Sequence, residues 1–357
     1  RPPRSTLDRS SAASDVYKRQ EENMQAGKLP IEQLSKVLQK FTSRDPRVVL
    51  GPAPGEDAAL IDMGESYLVA KTDPITFATN RIGWYAVQVN ANDIAVMGAK
   101  PKWMMATILL PEGTSENTIE QIFSQLDQAC NSLDITIIGG HTEITYDLSR
   151  PLITGVMLGE VEKGKEIRSS GAHPGDSIIL TKSIAIEGCS ILALECESKL
   201  RSYGVSNEDI DKGKNFLNNP GISIVRDAEI AMASGRVTSM HDPTEGGLAG
   251  GLRELAQAAT LGMNVTAEDI PINNVTSEFC SALEIDPLGL IASGSLLITS
   301  NPKDDQNIID SLASEGISAS IIGFMQDQSH GLNLVQGKTL GEIPNFSRDE
   351  LARILSQ

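Results

Sequence analysis

The sequence is poor in cysteine and in aromatic residues. Its four cysteines form no C-x-x-C pair, which argues against a disulfide framework or a zinc site and is typical of free thiols in a reducing cytosol. Aromatic residues make up only 4% of the 357 positions, so the 40% of apolar residues predicts cores of aliphatic side chains. We therefore expect a cytoplasmic protein with ordinary hydrophobic cores.

A surplus of positive charge and a long apolar segment are also missing. Thirty Lys and Arg residues stand against 47 Asp and Glu residues, a net charge of −17. That balance excludes a nucleic-acid or anionic-membrane surface, because both need a basic footprint. No apolar run approaches the roughly 18 residues of a membrane span. A phosphorylated small molecule stays possible as a ligand, provided that metal ions or backbone N–H groups neutralise its phosphates.

The length predicts two domains. Residues 1–23 are rich in Ser, Arg and Pro and lack periodicity, so we expect a leader outside the fold, either a non-native addition or a transit peptide. The turn-rich segment GAHPGD at 171–176 marks a boundary. We expect an N-terminal domain at 24–170, a C-terminal domain at 171–340 and a tail at 341–357.

Apolar spacing predicts strands and helices that alternate irregularly, typical of an α+β fold with mixed sheets. The predicted strands are 67–72, 103–110, 135–138, 151–161, 177–181, 237–240, 263–266, 294–299 and 319–323. The predicted helices are 31–41, 81–97, 115–132, 187–199, 206–218, 223–234, 246–259 and 304–314.

Five acidic residues lie beside turn formers or strand ends: Asp57, Asp73, Asp93, Glu143 and Asp242. Carboxylates next to glycines are what a magnesium–polyphosphate site needs, because Mg²⁺ prefers oxygen ligands and glycines let backbone N–H groups approach phosphates. Two more glycines, at 246–247, precede a predicted helix and could add such donors. The alternative is that each motif is an ordinary turn.

Three of the polar residues need separate comment. Asp93 interrupts an apolar helix, where a charge is costly unless it is paired or bound to metal. His141 and His241 are each open to two interpretations, a ligand or catalytic base on one hand and a structural side chain on the other.

In order along the chain, four motifs resemble those of the AIR synthase-related superfamily. GEDAA at 55–59 is similar to its Gly-Asp-Asp-Ala-Ala element, and NANDIAVMGAKP at 90–101 to its Asn-x-x-Asp-x-Ala-x-Met-Gly-Ala-x-Pro helix. GGHTE at 139–143 resembles its Gly-Gly-x-Thr turn. DPTEGGL at 242–248 resembles an element of the superfamily's hydrogenase maturation branch. The resemblance runs from about residue 45 to about residue 335.

The resemblance implies a two-domain fold with an N-terminal, β-rich domain that dimerises and a C-terminal α/β domain that covers a nucleotide cleft. It implies ATP and Mg²⁺ as cofactors, with Asp57, Asp93 and Asp242 as metal ligands and Glu143 as a further acidic ligand. His141 and Asp242 become the catalytic candidates. The expected cofactor-binding residues are Gly55, Asp57, Lys71, Asp73, Asn92, Asp93, Gly139, Gly140, Thr142 and Thr244.

Departures from the maturation branch limit the functional expectation. The maturation branch carries its substrate group on a cysteine at the C-terminus, whereas no cysteine follows Cys280 in this sequence. Glu245 also stands where that branch has an arginine. We expect an ATP- and Mg²⁺-dependent homodimeric enzyme that activates an amide, acid or phosphate oxygen of a small molecule. The alternative is a nucleotide-binding accessory protein, with a maturation partner and no turnover of its own.

Overall fold

A computed structural model describes Leu29 and residues 31–38, 40–41, 44–53, 55–78 and 80–356. The expected leader at 1–23 lies outside these residues. The helices are α1 Ile31–Leu38, α2 Ile82–Val96, α3 Glu116–Ser132, α4 Ile186–Glu195, α5 Glu197–Ser202, α6 Asn207–Asn215, α7 Val225–Ser234, α8 Gly247–Ala259, α9 Asn274–Leu283, α10 Asp305–Ser314 and α11 Glu350–Leu355. Within the described part, no helix has the length and apolar character that a membrane crossing needs.

Two separate sheets organise the chain, which confirms the α+β fold. The first contains β1 Val48–Leu50, β2 Ala59–Asp62, β3 Ser66–Ile75, β4 Lys100–Pro111, β5 Thr136–Thr145 and β6 Leu152–Glu162. Its order is β1-β2-β3-β6-β4-β5, and all neighbours are antiparallel except β4 and β5. The alternating burial along β6 shows that one face of this sheet packs on a core.

The second sheet has seven strands: β7 Ser177–Thr181, β8 Val237–His241, β9 Gly262–Thr266, β10 Leu297–Ser300, β11 Ala319–Gln326, β12 Leu332–Gln336 and β13 Thr339–Glu342. Its order is β13-β12-β9-β11-β7-β10-β8, with one parallel pair, β12 and β9. Every residue of the interior strand β7 is buried. The apolar spacing did not predict the helices α9 and α11 or the strands β1, β2, β12 and β13.

Helix α2 occupies the centre of the molecule. It packs on β3, β6 and α3 of the first sheet's domain and also on α7 and β8 of the second. Every residue of α2 except Trp84 is buried. Because both sides of the helix face protein, its sequence is mostly apolar and has no polar face. Of its polar residues, Asn92 bonds across the domain boundary, whereas Asn90 bonds within the first domain.

Strand β5 corrects one prediction. The sequence pattern ended a strand at residue 138 and placed a turn at Gly139 and Gly140, but the strand continues to Thr145. The two glycines instead accommodate a register shift against β4. Gly140 has φ +153°, and a Cβ atom there would lie 2.2 Å from the carbonyl oxygen of Ala106. A glycine is needed because the neighbouring strand leaves no room for a side chain.

The last residues pack on the second domain. Ile343, Leu351 and Ile354 are buried, and the Arg253 Nε atom donates a hydrogen bond to the carbonyl oxygen of Pro344 at 3.0 Å. The segment predicted as a tail therefore contains a buried helix, α11, beside the loops that precede α8 and β10.

Candidate active site

Three buried aspartates converge from three separate segments. Asp57 precedes β2, Asp93 lies in α2 and Asp242 directly follows β8. One carboxylate oxygen from each lies within 4.8 Å of the others. We call Asp57, Asp93 and Asp242 the aspartate triad. The two domains must therefore pack together to build it.

The aspartate triad is short of hydrogen-bond donors. Both carboxylate oxygens of Asp242 and the Oδ2 atom of Asp93 are buried without a partner in the described part of the chain. Burial and the neighbouring carboxylates raise the pKa of Asp242 well above its ordinary value. Burial also raises the pKa of Asp93 to about 7, although Lys71 opposes the shift. Such a cluster is costly unless a cation completes it.

Lys71 is one of the cations that the chain itself supplies to the triad. It lies in β3, and its Nζ atom is 3.2 Å from Oδ1 of Asp93. Burial opposes its charge, but Asp93, Asp73, Asp57 and Asp242 hold the pKa of Lys71 above its ordinary value. Asp93 thus has a partner on one oxygen only.

His241 lies behind Asp57 rather than free in the cleft. Its Nδ1 atom is 3.1 Å from Oδ1 of Asp57, and its Nε2 atom is 3.0 Å from Oε2 of Glu254 on α8. Burial opposes protonation, but the two carboxylates raise the pKa of His241 well above its ordinary value. In turn, although burial opposes ionisation, His241 keeps the pKa of Asp57 low. Ser169 donates a further hydrogen bond to Asp57 at 3.1 Å.

Two asparagines of α2 fix the surroundings of the triad. The Oδ1 atom of Asn90 accepts a hydrogen bond from the backbone N–H of Asp73 at 2.9 Å. Asn92 donates to the carbonyl oxygen of Ile222 and accepts from the N–H of Ile224, both at 2.9 Å. Both ends of the Asn92 amide are therefore engaged, so this residue joins the domains instead of facing a ligand.

The glycines before α8 are also engaged. The N–H of Gly246 donates to Oδ2 of Asp349 at 2.7 Å, and the N–H of Gly247 donates to the carbonyl oxygen of Thr244 at 3.0 Å. The expected phosphate donors are thus used within the protein, because the C-terminal segment supplies an anion of its own. Burial raises the pKa of Asp349 to about 6.

The remaining predicted residues divide into two groups. Gly55 has φ +83° and packs against α8, next to the triad, and Thr244 lines a cavity together with Asp73. Five others lie on the exposed strand β5: Gly139, Gly140, His141, Thr142 and Glu143. β5 is three strands away from β3, roughly 14 Å at the usual strand spacing. His141 and Glu143 contact each other at 3.3 Å, and the structure does not bring them to the triad.

Sequence analysis missed Glu254, Ser169 and Glu187. Glu254 and Ser169 act through tertiary contacts: Ser169 donates a hydrogen bond to Asp57, and Glu254 contacts His241, which in turn contacts Asp57. Glu187 lies in α4 and lines the cavity that Asp73 and Thr244 border. None of the three carries a local signal beyond its residue type.

Comparison with known proteins agrees with this architecture. Residues 55–161 match the AIR synthase related protein N-terminal domain, and residues 173–333 match the corresponding C-terminal domain. The chain belongs to the AIR synthase-related family. Both matched regions contain members of the triad, so the cluster lies within the part that defines the family.

The relatives include hydrogenase maturation proteins. A putative hydrogenase expression/formation protein of Methanocaldococcus jannaschii is 28% identical over 81% of this chain and 85% of its own length. The carbamoyl dehydratase HypE of Rhizobium leguminosarum bv. viciae is 26% identical over 84% and 86%. A solved structure of the hydrogenase maturation protein HypE in complex with ATP superposes with a TM-score of 0.69 at 21% identity, covering 92% of this chain and 98% of that one. This last likeness shows the shared fold.

Proposed function

We propose that this protein is an ATP- and Mg²⁺-dependent enzyme that activates an amide, acid or phosphate oxygen of a small molecule by phosphoryl transfer. The observation that carries the proposal is the aspartate triad with its unpartnered buried oxygens. The family and its ATP-bound member support the choice of nucleotide.

A divalent cation would neutralise most of the negative charge around the triad. When all groups are ionised, five carboxylates, those of the triad, Asp73 and Glu254, face two cations, Lys71 and His241. The surplus is three negative charges. The unpartnered atoms of the triad that could coordinate an ion are carboxylate oxygens, which Mg²⁺ prefers as ligands. Asp57, Asp93 and Asp242 would hold the ion, whose role is to neutralise the charge of the transferred phosphoryl group.

The chain's own residues would position the reactants. Lys71 presents a fixed positive charge beside Asp93, and the His241 contact orients Asp57. Asp73 and Thr244 border the cavity of about 440 Å³ that opens beside the triad. In phosphoryl transfer most catalysis is positioning and charge neutralisation, so these groups suffice without a covalent nucleophile.

Calorimetric titration with ATP tests the binding half of the proposal, first with Mg²⁺ and then with a chelator. We expect binding with Mg²⁺ and at least tenfold weaker binding without it, since the acidic cleft repels a bare polyphosphate. Equal affinity in the two titrations would remove Mg²⁺ from the proposal. Release of ADP in the presence of a metabolite pool tests the catalytic half.

A nucleotide-binding accessory role is the second candidate. Glu245 lines the cavity and adds negative charge where an acceptor phosphate would lie. The names of the relatives suggest hydrogenase maturation as the context and a maturation protein as the partner. Tight Mg²⁺-dependent ATP binding without ADP release in the metabolite screen would favour this role over the enzyme.

We also propose that the protein forms a homodimer through β5. Every residue from Thr136 to Ile144 is exposed on this edge strand. Ile137, Ile138 and Ile144 are among the exposed apolar side chains, at 43, 51 and 56%. An exposed apolar edge strand favours pairing with another chain.

A further inference from the structure

Helix α8 packs closely against two of the three segments that carry the aspartate triad. Gly55, two residues before Asp57, lies so near the helix that a Cβ atom there would be 3.4 Å from the carbonyl oxygen of Glu254. On the side of the third aspartate, a Cβ atom at Gly251 would be 2.7 Å from the Cβ atom of Pro243. The two glycines permit this approach because they carry no side chain. The helix is therefore a common support for both segments.

Glu254 connects this helix to the triad through a histidine ring. Its Oε2 atom is 3.0 Å from Nε2 of His241, and Nδ1 of the same ring is 3.1 and 3.2 Å from the two carboxylate oxygens of Asp57. An ionised carboxylate only accepts hydrogen bonds, so both ring nitrogens donate. Because His241 is only 4% exposed, both contacts lie in the interior, where water does not weaken them.

The connection from Glu254 to Asp57 crosses from one domain to the other. Asp57 belongs to the first family-matched region, whereas His241 and Glu254 belong to the second. His241 also directly precedes Asp242 in the chain. One ring thus adjoins two members of the triad, the first by a hydrogen bond and the other by a peptide bond. The orientation of this ring therefore helps to set the distance between the two carboxylates.

Asp57 and Asp242 differ in how firmly the protein holds their oxygens. Both oxygens of Asp57 contact His241, and Oδ2 also accepts a hydrogen bond from Ser169 at 3.1 Å. Both oxygens of Asp242 are buried and have no partner among the residues that the structure describes. An ion in the triad would therefore meet one carboxylate that is already fixed and one that is uncommitted. The geometry around the ion depends on the fixed one.

We propose that Glu254 is a positioning residue of the metal site, which acts through His241 to hold Asp57 and so favours Mg²⁺ over Ca²⁺. Mg²⁺ requires a nearly ideal octahedron of oxygens at about 2.0–2.1 Å, whereas Ca²⁺ accepts longer and less regular contacts of about 2.3–2.6 Å. Residues that orient a metal ligand typically change the affinity for the metal by about 10–100-fold. The inference rests on the metal of the proposed function and not on its nucleotide.

Two variants separate the position of the Glu254 carboxylate from its charge. Glu254→Asp keeps the charge but is one methylene group shorter, so the contact with His241 is lost or lengthened. Glu254→Gln removes the charge but keeps an oxygen and an amide N–H within reach of the ring. Titration calorimetry of the nucleotide-free protein with MgCl₂ and, separately, with CaCl₂ at constant ionic strength measures the two dissociation constants.

We expect Glu254→Asp to weaken Mg²⁺ binding at least about tenfold and Ca²⁺ binding less than about threefold, because only Mg²⁺ needs the strict geometry. Glu254→Gln should weaken the binding of both ions by the same factor, since it removes negative charge without releasing the ring. A purely structural ion pair would change the stability of the protein and not the ratio of the two constants. An unchanged ratio in Glu254→Asp would overturn the proposal.

Controls connect the effect to the contact itself. Glu120→Asp and Glu120→Gln, on the exposed side of α3, make the same chemical changes and should leave both dissociation constants at their wild-type values. If Glu254→Asp does not fold, Glu254→Met fills the same space without an acceptor and should lose the preference for Mg²⁺ in the same way. Wild-type selectivity in a folded Glu254→Met protein would contradict the proposal.

The same titrations distinguish this proposal from the proposed function. A wild type whose Mg²⁺ selectivity depends on Glu254 but which does not bind ATP would overturn the nucleotide function and leave the positioning role standing. Binding of Mg²⁺·ATP together with a selectivity that Glu254→Asp does not alter would do the reverse. A wild type that binds Mg²⁺ neither alone nor with ATP would end both proposals.

Discussion

Two buried acidic clusters in this protein differ in how completely they are satisfied. In the second domain, Asp227 accepts a hydrogen bond from Thr181 at 2.7 Å and forms an ion pair with Lys182 at 3.1 Å. Lys182 also donates to the carbonyl oxygens of Ser223 and Gly294, at 2.6 and 3.1 Å. This cluster is closed, since its charges cancel and the Lys182 ammonium is fully hydrogen-bonded.

The aspartate triad is open by the same criterion. Its only lysine contact is the one between Lys71 and Asp93, and both oxygens of Asp242 have no partner in the described residues. Burial is equal in the two places, with Asp227 at 1% and Asp242 at 2% exposed. The difference teaches that a buried carboxylate alone does not mark a site. A buried surplus of uncompensated charge does mark a site, because its free-energy cost is offset only when a ligand completes the cluster.

The largest expected effect is on the closed cluster. Lys182→Met strands the buried Asp227 carboxylate and should lower the free energy of unfolding by about 3–5 kcal/mol. Chemical denaturation measures the loss. Mg²⁺·ATP affinity in the remaining folded protein should match the wild type. Unchanged stability would show that this pair is not the structural counterpart of the triad.

Glu187 is a buried carboxylate that is less well compensated than Asp227, and its raised pKa should make the stability of the protein depend on pH. Its pKa is about 7 in the folded protein and near 4.5 when unfolded, so the folded state binds the extra proton in this range. Stability from this group is therefore lost as pH rises from 4.5 to 7, by at most about 1.4 kcal/mol per pH unit. Urea denaturation of the wild type and of Glu187→Gln across this range should show a shallower decline in the variant. Parallel curves would contradict a raised pKa at Glu187.

Mutation of the aspartate triad should affect ligand binding more than stability, the opposite of what is expected for the pair of Asp227 and Lys182. Asp242→Asn removes one of three repelling carboxylates, so the metal-free protein should lose less than about 1 kcal/mol of stability or gain some. Mg²⁺·ATP should bind at least tenfold more weakly, a change of about 1.4 kcal/mol. Asp310→Asn on the exposed side of α10 is the matched control for calorimetry. A destabilised Asp242→Asn protein with normal affinity would make the triad a structural cluster.

The smallest effect on the fold is expected at the exposed apolar strand β5, which has no partner strand on its outer edge within the described residues. Ile138→Asp or Ile144→Asp on β5 should convert a dimer, twice the 38.2 kDa chain mass, to a monomer without unfolding it. Light scattering gives the mass. Met63→Asp, at an equally exposed apolar position in the turn after β2, should leave the dimer intact. A wild type of 38.2 kDa would end the proposal.

The sequence motifs predicted much of the candidate site. Asp57 and Asp242 stood out because carboxylates beside glycines fit a magnesium–phosphate site, and Asp93 because a charge within an apolar helix is costly unless it is paired or bound to metal. The same signal misplaced Gly139 and Gly140, since two glycines indicate a turn as readily as a register shift in a strand. Helix and strand positions followed from apolar spacing for most elements, although α9, which has one buried face, was not predicted.

The sequence by itself determined the fold class, most of the elements and the residue types from which a magnesium–phosphate site can be built. Only the tertiary structure decided which acids meet. The triad joins residues 57, 93 and 242, whereas Glu143 lies on an exposed edge strand and Gly246 is capped by Asp349. Local patterns report the burial of a residue and its turn chemistry. The compensation of a charge depends on neighbours that only packing brings together, and that compensation separates Asp227 from Asp242.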